Sequence, residues 1–138
     1  MHNSYNIPCT ALHERNALNE SSPNTSHHAH SQGSPLFVVH RTEDMIASAK
    51  KDDAIMATLR DPATDGDRCP NPEWLVCMGV CTHLGCQPTY QSGDYGAFFC
   101  SCHGSHYDWS GRIRRGPAPL NLQVPGYGWA DDKTIAVG

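Results

Sequence analysis

The chain has 138 residues, enough for one domain of ordinary size, and it is polar, with 38% hydrophobic and 17% charged residues. A formal net charge of −4 offers no basic surface of the kind that binds nucleic acid, so we expect no nucleic-acid partner. The longest apolar run, residues 74–80, is strand-sized and far short of the ~20 residues that a membrane-spanning helix requires.

The first 33 residues are rich in serine, asparagine and histidine, with five of each, and contain only scattered apolar residues. Such a segment cannot bury enough surface to offset the loss of chain entropy. The composition therefore predicts a flexible, disordered N-terminal arm over residues 1–33. Cys9 has no cysteine partner within this arm, and we expect no role for it.

A folded domain is predicted over residues 34–138, and its first elements are a strand and a helix. Residues 36–40 form the strand, and residues 43–51 the helix, which Thr42 caps. Acidic residues at the start of this helix and lysines at its end suit the helix dipole. Residues 73–80 alternate between two apolar faces, which predicts another strand. One face holds Trp74, Val76, Met78 and Val80, and the other holds Leu75 and Cys77.

Further strands are predicted at residues 97–100, 120–124 and 133–137, the first of them entered through a turn at residues 92–94. Glycine (12 residues) and proline (10 residues) are frequent, which favours a loop-rich β protein over a helical bundle. We therefore predict a mainly β fold, an antiparallel sandwich or open barrel, with one short helix.

Six of the seven cysteines lie between residues 69 and 102, which indicates a metal site, disulfides or both. Two segments, residues 81–86 (CTHLGC) and residues 100–107 (CSCHGSHY), each offer one cysteine and one histidine at ligand spacing, with one spare cysteine. The ligand pairs are Cys81 with His83 and Cys100 with His103, and the spare cysteines are Cys86 and Cys102.

Three kinds of site fit this pattern. A structural zinc ion would take two thiolates and two imidazoles, but it would leave Cys86 and Cys102 unused. Pairing all six clustered cysteines as disulfides would leave the histidines without a role. A [2Fe–2S] cluster with one iron on two thiolates and the other on two imidazoles uses both residue types, and we favour it.

The two segments resemble the cluster-binding boxes of the Rieske iron–sulfur proteins. Residues 35–42 (PLFVVHRT), 59–62 (LRDP), 73–76 (EWLV) and 111–122 (GRIRRGPAPLNL) are also similar to the Rieske subunit of cytochrome bc complexes. The resemblance covers roughly residues 35–138 and implies a Rieske-type fold with a nested cluster-binding subdomain at about residues 80–120.

The resemblance also implies one [2Fe–2S] cluster per chain and a set of residues around it. The ligands fall on Cys81, His83, Cys100 and His103, and a disulfide falls on Cys86 and Cys102. Residues expected to surround the cluster are the hydrogen-bond donors Ser105 and Tyr107, the apolar cover Leu84, the loop glycine Gly104, and a proline loop at 116–119 that ends in Pro119. Ser101 departs from the family, whose second box usually has proline there, and this frees a backbone N–H.

Charge counting explains why mixed ligands suit an electron carrier. Two ferric ions, two sulfides and two thiolates sum to zero, so reduction adds little charge and the potential is high. The resemblance implies electron transfer from ubiquinol, which meets His103, to a c-type cytochrome in a quinol–cytochrome c reductase, where cytochrome b completes the quinone pocket. The isolated domain would then not be active. The alternatives are a soluble Rieske-type ferredoxin or oxygenase carrier and a zinc-stabilised interaction domain.

The family match implies the mitochondrial inner membrane on its intermembrane-space side, or a bacterial inner membrane on its periplasmic side. A disulfide persists in such oxidising compartments. The family anchors this domain through a membrane helix, and we expect that helix to be absent because residues 1–33 cannot supply it. Cys69 has no assigned role and Cys77 is expected to be a small buried residue, with a Cys69–Cys77 disulfide as the alternative.

Overall fold

The computed structural model describes residues 25–31, 33–131 and 134–137. These residues form three antiparallel sheets, in the orders β1-β2-β3, β4-β5-β6-β7 and β8-β9, and the predicted mainly β architecture is confirmed. The strands are β1 (Thr25–Ser31), β2 (Ser34–His40), β3 (Trp74–Met78), β4 (Thr89–Tyr90), β5 (Phe98–Cys100), β6 (Ser105–Tyr107), β7 (Ile113–Arg115), β8 (Tyr127–Asp131) and β9 (Thr134–Val137). The helices are α1 (Glu43–Lys51), a 3-10 helix (Asp52–Thr58) and α2 (Asp65–Arg68).

The sheet β1-β2-β3 is the middle layer of the molecule because both faces of β2 and β3 are buried. Leu75 and Cys77 of β3 point into one core and Trp74 and Val76 into the other, so the predicted alternation is confirmed. The first core joins this sheet to the sheet β4-β5-β6-β7; its largest members are Phe37, Val39, Leu75, Phe98, Tyr107, Ile113 and Leu122. The second core joins it to the hairpin β8-β9 through Leu36, Val38, Trp74, Val76 and Ile135.

Helix α1 has the predicted bounds and the predicted cap. The Met45 backbone N–H donates to Thr42 Oγ1 at 3.2 Å, which satisfies one of the free amides of the first turn. Met45 and Ala49 are buried on the inner face of the helix. The structure adds two short helices that the sequence analysis did not predict. The 3-10 helix follows α1 directly, and α2 spans only one turn, so neither is long enough to show a periodic apolar pattern.

Two sequence predictions are wrong in the structure. Residues 25–31 form strand β1, which pairs along its whole length with β2, so the disordered arm does not include them. An edge strand is held by backbone hydrogen bonds and needs no apolar side chains, which explains why its polar sequence gave no signal. Residues 120–124 form no strand. Residues 1–24 and 32 of the predicted arm, including Cys9, lie outside the described residues.

Buried arginines form hydrogen bonds and ion pairs that join segments distant in the sequence. Arg41 donates to both carboxylate oxygens of Asp65, and Ser110 Oγ donates to the same carboxylate at 2.6 Å. Arg112 pairs with Asp108 at 2.9 Å, and Arg68 donates to the backbone carbonyls of Ser110 and Leu122. Within the described part of the chain, no helix is both long and apolar enough to cross a bilayer.

Candidate metal centre

The two cysteine–histidine segments are tight loops at the ends of short strands. The first loop follows β3, and it closes on itself because the Cys81 N–H donates to the Cys86 carbonyl at 2.8 Å. The second loop joins β5 to β6, and its turn is closed by the Gly104 N–H donating to the Cys100 carbonyl at 2.9 Å. Gly104 has φ +83°, a left-handed conformation that glycine adopts at no steric cost.

The structure brings the four cysteines of the two loops together in two pairs. A disulfide joins Cys86 to Cys102 and links the loops, with the two Cα atoms 6.6 Å apart. Cys81 and Cys100 are buried free thiols that are close enough to shift each other's pKa. The sulfur atoms of Cys86, Cys100 and Cys102 all lie within 4.8 Å of one another. The disulfide therefore lies directly beside the Cys100 thiol.

The two histidines lie side by side, and each follows a free cysteine of its own loop by two or three residues. Their ring centroids are 4.7 Å apart and the rings are nearly perpendicular, at 88°. The His83 ring is half-buried and that of His103 is exposed. His83 Nδ1 is a buried nitrogen with no hydrogen-bond partner among the described residues, an arrangement that native proteins avoid unless a ligand satisfies the atom. The predicted [2Fe–2S] cluster fits these residues, which offer two thiols and two imidazoles, one of them with an unpartnered ring nitrogen.

Tyr107 places a hydroxyl directly on the Cys81 sulfur. The distance from Tyr107 Oη to Cys81 Sγ is 3.3 Å, and the Thr82 backbone N–H donates to the same hydroxyl at 3.3 Å. Because the Tyr107 oxygen already accepts from Thr82, its own proton is free to donate to Cys81. Burial of the ring, together with the neighbouring Cys81, raises the pKa of Tyr107, so the hydroxyl keeps that proton.

The two free thiols have different acidities. Burial alone would raise the pKa of Cys81, but hydrogen bonds from Tyr107, from the His83 backbone, from Cys100 and from Ser105 together hold it below its usual range. Burial raises the pKa of Cys100, and the neighbouring Cys81 raises it further. The hydrogen bonds at Cys81 favour its thiolate form. Hydrogen bonds that favour a thiolate are the environment in which cysteine acts as a metal ligand.

A third loop, at residues 116–119, packs against the second loop at Gly104 and Ser105. Gly116 has φ +97°, and a Cβ there would come within 2.6 Å of the Ser105 Cα, so only glycine permits this close approach. Within the loop, the Ala118 N–H donates to Ser105 Oγ at 3.1 Å and the Pro119 ring is exposed. Leu84 on the first loop is 69% exposed and projects into solvent.

Several residues that hold these loops were not predicted. Thr82 Oγ1 donates to the Leu120 carbonyl at 2.6 Å, which fastens the first loop to the chain after residue 119. Arg60 donates to two carbonyls of the loop at 116–119, and Asn121 bonds to Asp61 through its backbone N–H and its side chain. The only sequence signal for Arg60 and Asp61 was their place in the motif LRDP, which carried no assigned role.

The two remaining described cysteines belong to the core. Cys69 and Cys77 are buried free thiols, and burial raises the pKa of each to about 12. Thiols with such a pKa stay protonated and unreactive at neutral pH. The expected burial of Cys77 is confirmed, and the alternative of a Cys69–Cys77 disulfide is wrong. Ser101, which stands in place of the usual proline, is exposed.

Comparison with known families gives one domain match. The model of the Rieske [2Fe-2S] domain matches residues 17–126 of the chain. Curated relatives include the cytochrome b-c1 complex subunit Rieske, mitochondrial, of Candida albicans, 58% identical over 107 residues, and that of Saccharomyces cerevisiae, 56% identical over 104 residues. These matches cover 78% and 75% of this chain. They cover 49% and 47% of the relatives, so the chain spans about half the length of the relatives it matches.

Solved structures with similar folds include one chain of a hyperthermophilic respiratory complex III. It matches with a TM-score of 0.62 at 20% sequence identity, covering 94% of this chain and 79% of that one. A cyanobacterial plasma-membrane Rieske protein from Synechocystis matches with a TM-score of 0.52 at 19% identity, covering 82% of this chain and 85% of that one. At these identities the similarity supports the fold.

Proposed function

This chain belongs to the Rieske [2Fe-2S] family, and from that premise we propose that it carries electrons from ubiquinol to a c-type cytochrome as the iron–sulfur subunit of a quinol–cytochrome c reductase. The proposal is supported by relatives that are 50–60% identical and are named as cytochrome b-c1 complex subunits. The observation that carries it is the geometry of the site, in which two thiols and two imidazoles converge beside a disulfide.

We assign the ligands of a single [2Fe–2S] cluster to these four residues. When bound, the cluster supplies a one-electron redox centre. Cys81 and Cys100 would hold one iron, since both thiols are buried and adjacent. His83 and His103 would hold the other, and for His83 the coordinating atom would be the orphaned Nδ1. The Tyr107 hydroxyl would donate to the Cys81 sulfur after metal binding, as it does in the structure.

The histidine side of the site is the side that a substrate can reach. His103 is exposed, whereas both thiols are buried, so we assign the contact with quinol to His103. Leu84 and Leu120, which are 69% and 55% exposed, are large apolar side chains on the loops near the site. Exposed apolar residues of this kind mark contact surfaces, and here the partner would be cytochrome b, which completes the quinone pocket. For this reason the isolated domain would not oxidise quinol.

We place the protein in the mitochondrial inner membrane, with this domain on the intermembrane-space side. The yeast and plant relatives are named mitochondrial. The disulfide between Cys86 and Cys102 supports an oxidising compartment, because reducing compartments keep most thiols free. We also propose that the predicted domain at residues 34–138, extended at its start by strand β1, is the functional unit, and that its cluster-binding subdomain spans about residues 80–120.

The test is electron paramagnetic resonance of the reduced protein, with iron and acid-labile sulfide analysis. The unmodified chain should contain two irons per chain, as one [2Fe–2S] cluster implies, and should give a Rieske-type signal. His83→Ala and His103→Ala should each lose that signal because each removes an iron ligand. His106→Ala is the matched control, since His106 lies on β6 beside Asp94 and should not be needed for the cluster. Bound zinc without iron, or a normal signal in either ligand variant, would contradict the assignment.

A further inference from the structure

We propose that Arg60 is a positioning residue for the cluster site, because it fixes the loop at residues 116–118 and so orients the Ser105 hydroxyl. The inference rests on the proposed function, and it adds a residue that lies twenty or more positions before either cluster-binding segment. Arg60 lies in the chain between the 3-10 helix and α2, and it is separated from the loop by 56 to 58 residues.

Arg60 holds the loop by two carbonyl groups at once. Its Nη1 atom donates to the Gly116 carbonyl at 2.5 Å and to the Ala118 carbonyl at 2.6 Å. These two carbonyls flank the peptide bond between Pro117 and Ala118. A cationic donor bonded on both sides of one peptide unit limits its rotation, and hydrogen bonds from a charged group are stronger than those between neutral groups. The direction of the Ala118 N–H therefore depends on Arg60.

The Ala118 N–H in turn sets the orientation of Ser105. This amide donates to Ser105 Oγ at 3.1 Å, and Ser105 is 1% exposed. Because the serine oxygen accepts from the loop, the hydroxyl proton points away from the loop and toward the site. Cys81 lies near this hydroxyl, so its sulfur is an acceptor that the Ser105 proton can reach. A chain of contacts thus runs from Arg60 through the Ala118 peptide to Ser105 and the sulfur.

Residues 120 and 121, directly after the loop, are held by contacts that do not involve Arg60. Leu120 is fastened by Thr82, and Asn121 is fastened by Asp61. Loss of Arg60 would therefore leave residues 120–121 in place and loosen the segment that faces Ser105. The effect should appear in a property that depends on the Ser105 hydrogen bond, which for a bound cluster is its midpoint potential.

The experiment is a double-mutant cycle on the cluster-loaded protein, with the midpoint potential measured by redox titration. Arg60→Met should lower the potential in the Ser105 background, because a less well oriented hydroxyl stabilises the reduced cluster less. In the Ser105→Ala background the same substitution should give little further change, since the group through which Arg60 acts is gone. Hydrogen exchange of the peptide covering residues 113–122 should be faster in Arg60→Met.

Two controls separate positioning from other effects. Arg115→Met removes the same charge from an exposed arginine whose side chain pairs with Asp94, and its effect should be equal in both Ser105 backgrounds. Arg60→Lys keeps the charge and one donor group, and it should give an intermediate fall in potential. This variant also serves if Arg60→Met fails to retain its cluster.

The outcomes are distinguishable from failure of the proposed function. An unmodified protein without a Rieske-type signal contradicts the proposed function itself. A loaded Arg60→Met protein with an unchanged potential, or with the same fall in both Ser105 backgrounds, overturns only the positioning role of Arg60.

Discussion

Tyr107 is fully buried, and its hydroxyl oxygen lies 3.3 Å from the Cys81 sulfur. The phenolic oxygen accepts a hydrogen bond from the Thr82 N–H, which leaves the phenol proton free to be donated to the Cys81 sulfur. A hydrogen bond to sulfur strengthens when the sulfur becomes more negative. Such a donor therefore favours the reduced state of any redox centre that the sulfur coordinates.

Tyr107→Phe should lower the midpoint potential of the bound cluster and leave the cluster assembled. A hydrogen bond to a charged group contributes roughly 1.5–3 kcal/mol, which corresponds to about 60–130 mV for one electron. Only the difference in hydrogen-bond free energy between the reduced and oxidised states changes the potential, so the expected fall in midpoint potential is some tens of millivolts. Redox titration measures it. Tyr127→Phe, on the hairpin β8-β9, is the control and should leave the potential unchanged. An unchanged potential in Tyr107→Phe would contradict the donor role.

How far the site could be predicted depends on how local its parts are. Cys81 and His83 are two residues apart, so a short sequence motif was enough to predict both as cluster ligands. Arg60 and the loop are more than fifty residues apart in the sequence, so no local sequence pattern could predict their contact. The same holds for Thr82, whose hydroxyl bonds to a backbone carbonyl that any residue could provide.

At the level of elements, apolar alternation predicted strands correctly where both faces meet a core and failed where the backbone has other partners. Residues 74–78 form β3 between two cores. Residues 120–124 alternate similarly, but their backbone donors go to three different places. The Leu120 N–H donates to Thr82, the Asn121 N–H to Asp61 and the Leu122 N–H to Gly111. A segment whose amides are used in this way cannot also form a strand ladder.

The disulfide is the element-scale link between the two ligand loops, and its removal should destabilise the domain. It closes a loop of 16 residues, which in the chain-entropy model contributes about 3 kcal/mol to the free energy of unfolding. For a domain of about a hundred residues that is a fall in Tm on the order of 10–20 °C. The Cys86→Ser/Cys102→Ser double variant should show this fall in a thermal melt followed by circular dichroism.

A reductant provides the matched control for that measurement. It should lower the Tm of the unmodified protein toward that of the double variant, and it should not change the Tm of the double variant. Equal sensitivity of both proteins to reductant would mean that the effect arises elsewhere, for example at the metal site.

On the scale of the whole molecule, charged groups buried behind the site join segments that are distant in sequence. Arg41 follows β2, Asp65 begins α2, and Ser110 lies between β6 and β7, yet the three side chains meet at one point. The Arg41 and Asp65 side chains are 0% and 1% exposed. The composition could not have predicted this cluster, because a buried arginine and a surface arginine look alike in sequence. Buried ion pairs of this kind are costly to break, since the remaining charge has no partner.

The Asp65 carboxylate should make the stability of the domain fall at acid pH. Burial alone would raise its pKa, but hydrogen bonds from Arg41 and Ser110 and the charge of Arg41 outweigh that effect and hold the pKa below its ordinary value. A folded pKa below the unfolded one adds stability above about pH 4, and this is lost as the pH falls through the folded pKa. Asp65→Asn leaves the Arg41 charge unpaired, so at neutral pH it should lower the free energy of unfolding by roughly 3–5 kcal/mol.

The difference in unfolding free energy between the unmodified protein and Asp65→Asn should shrink as the pH is lowered from 6 toward 3, because the variant lacks the titrating group. Urea unfolding followed by circular dichroism at each pH measures that difference, and comparison at equal pH cancels changes common to both proteins. Asp44→Asn, at an exposed position in the first turn of α1, is the control. Its difference from the unmodified protein should stay within about 1 kcal/mol, the size of a helix-dipole interaction. A difference for Asp65→Asn that is constant over this pH range would show that the carboxylate does not titrate with folding as the structure implies.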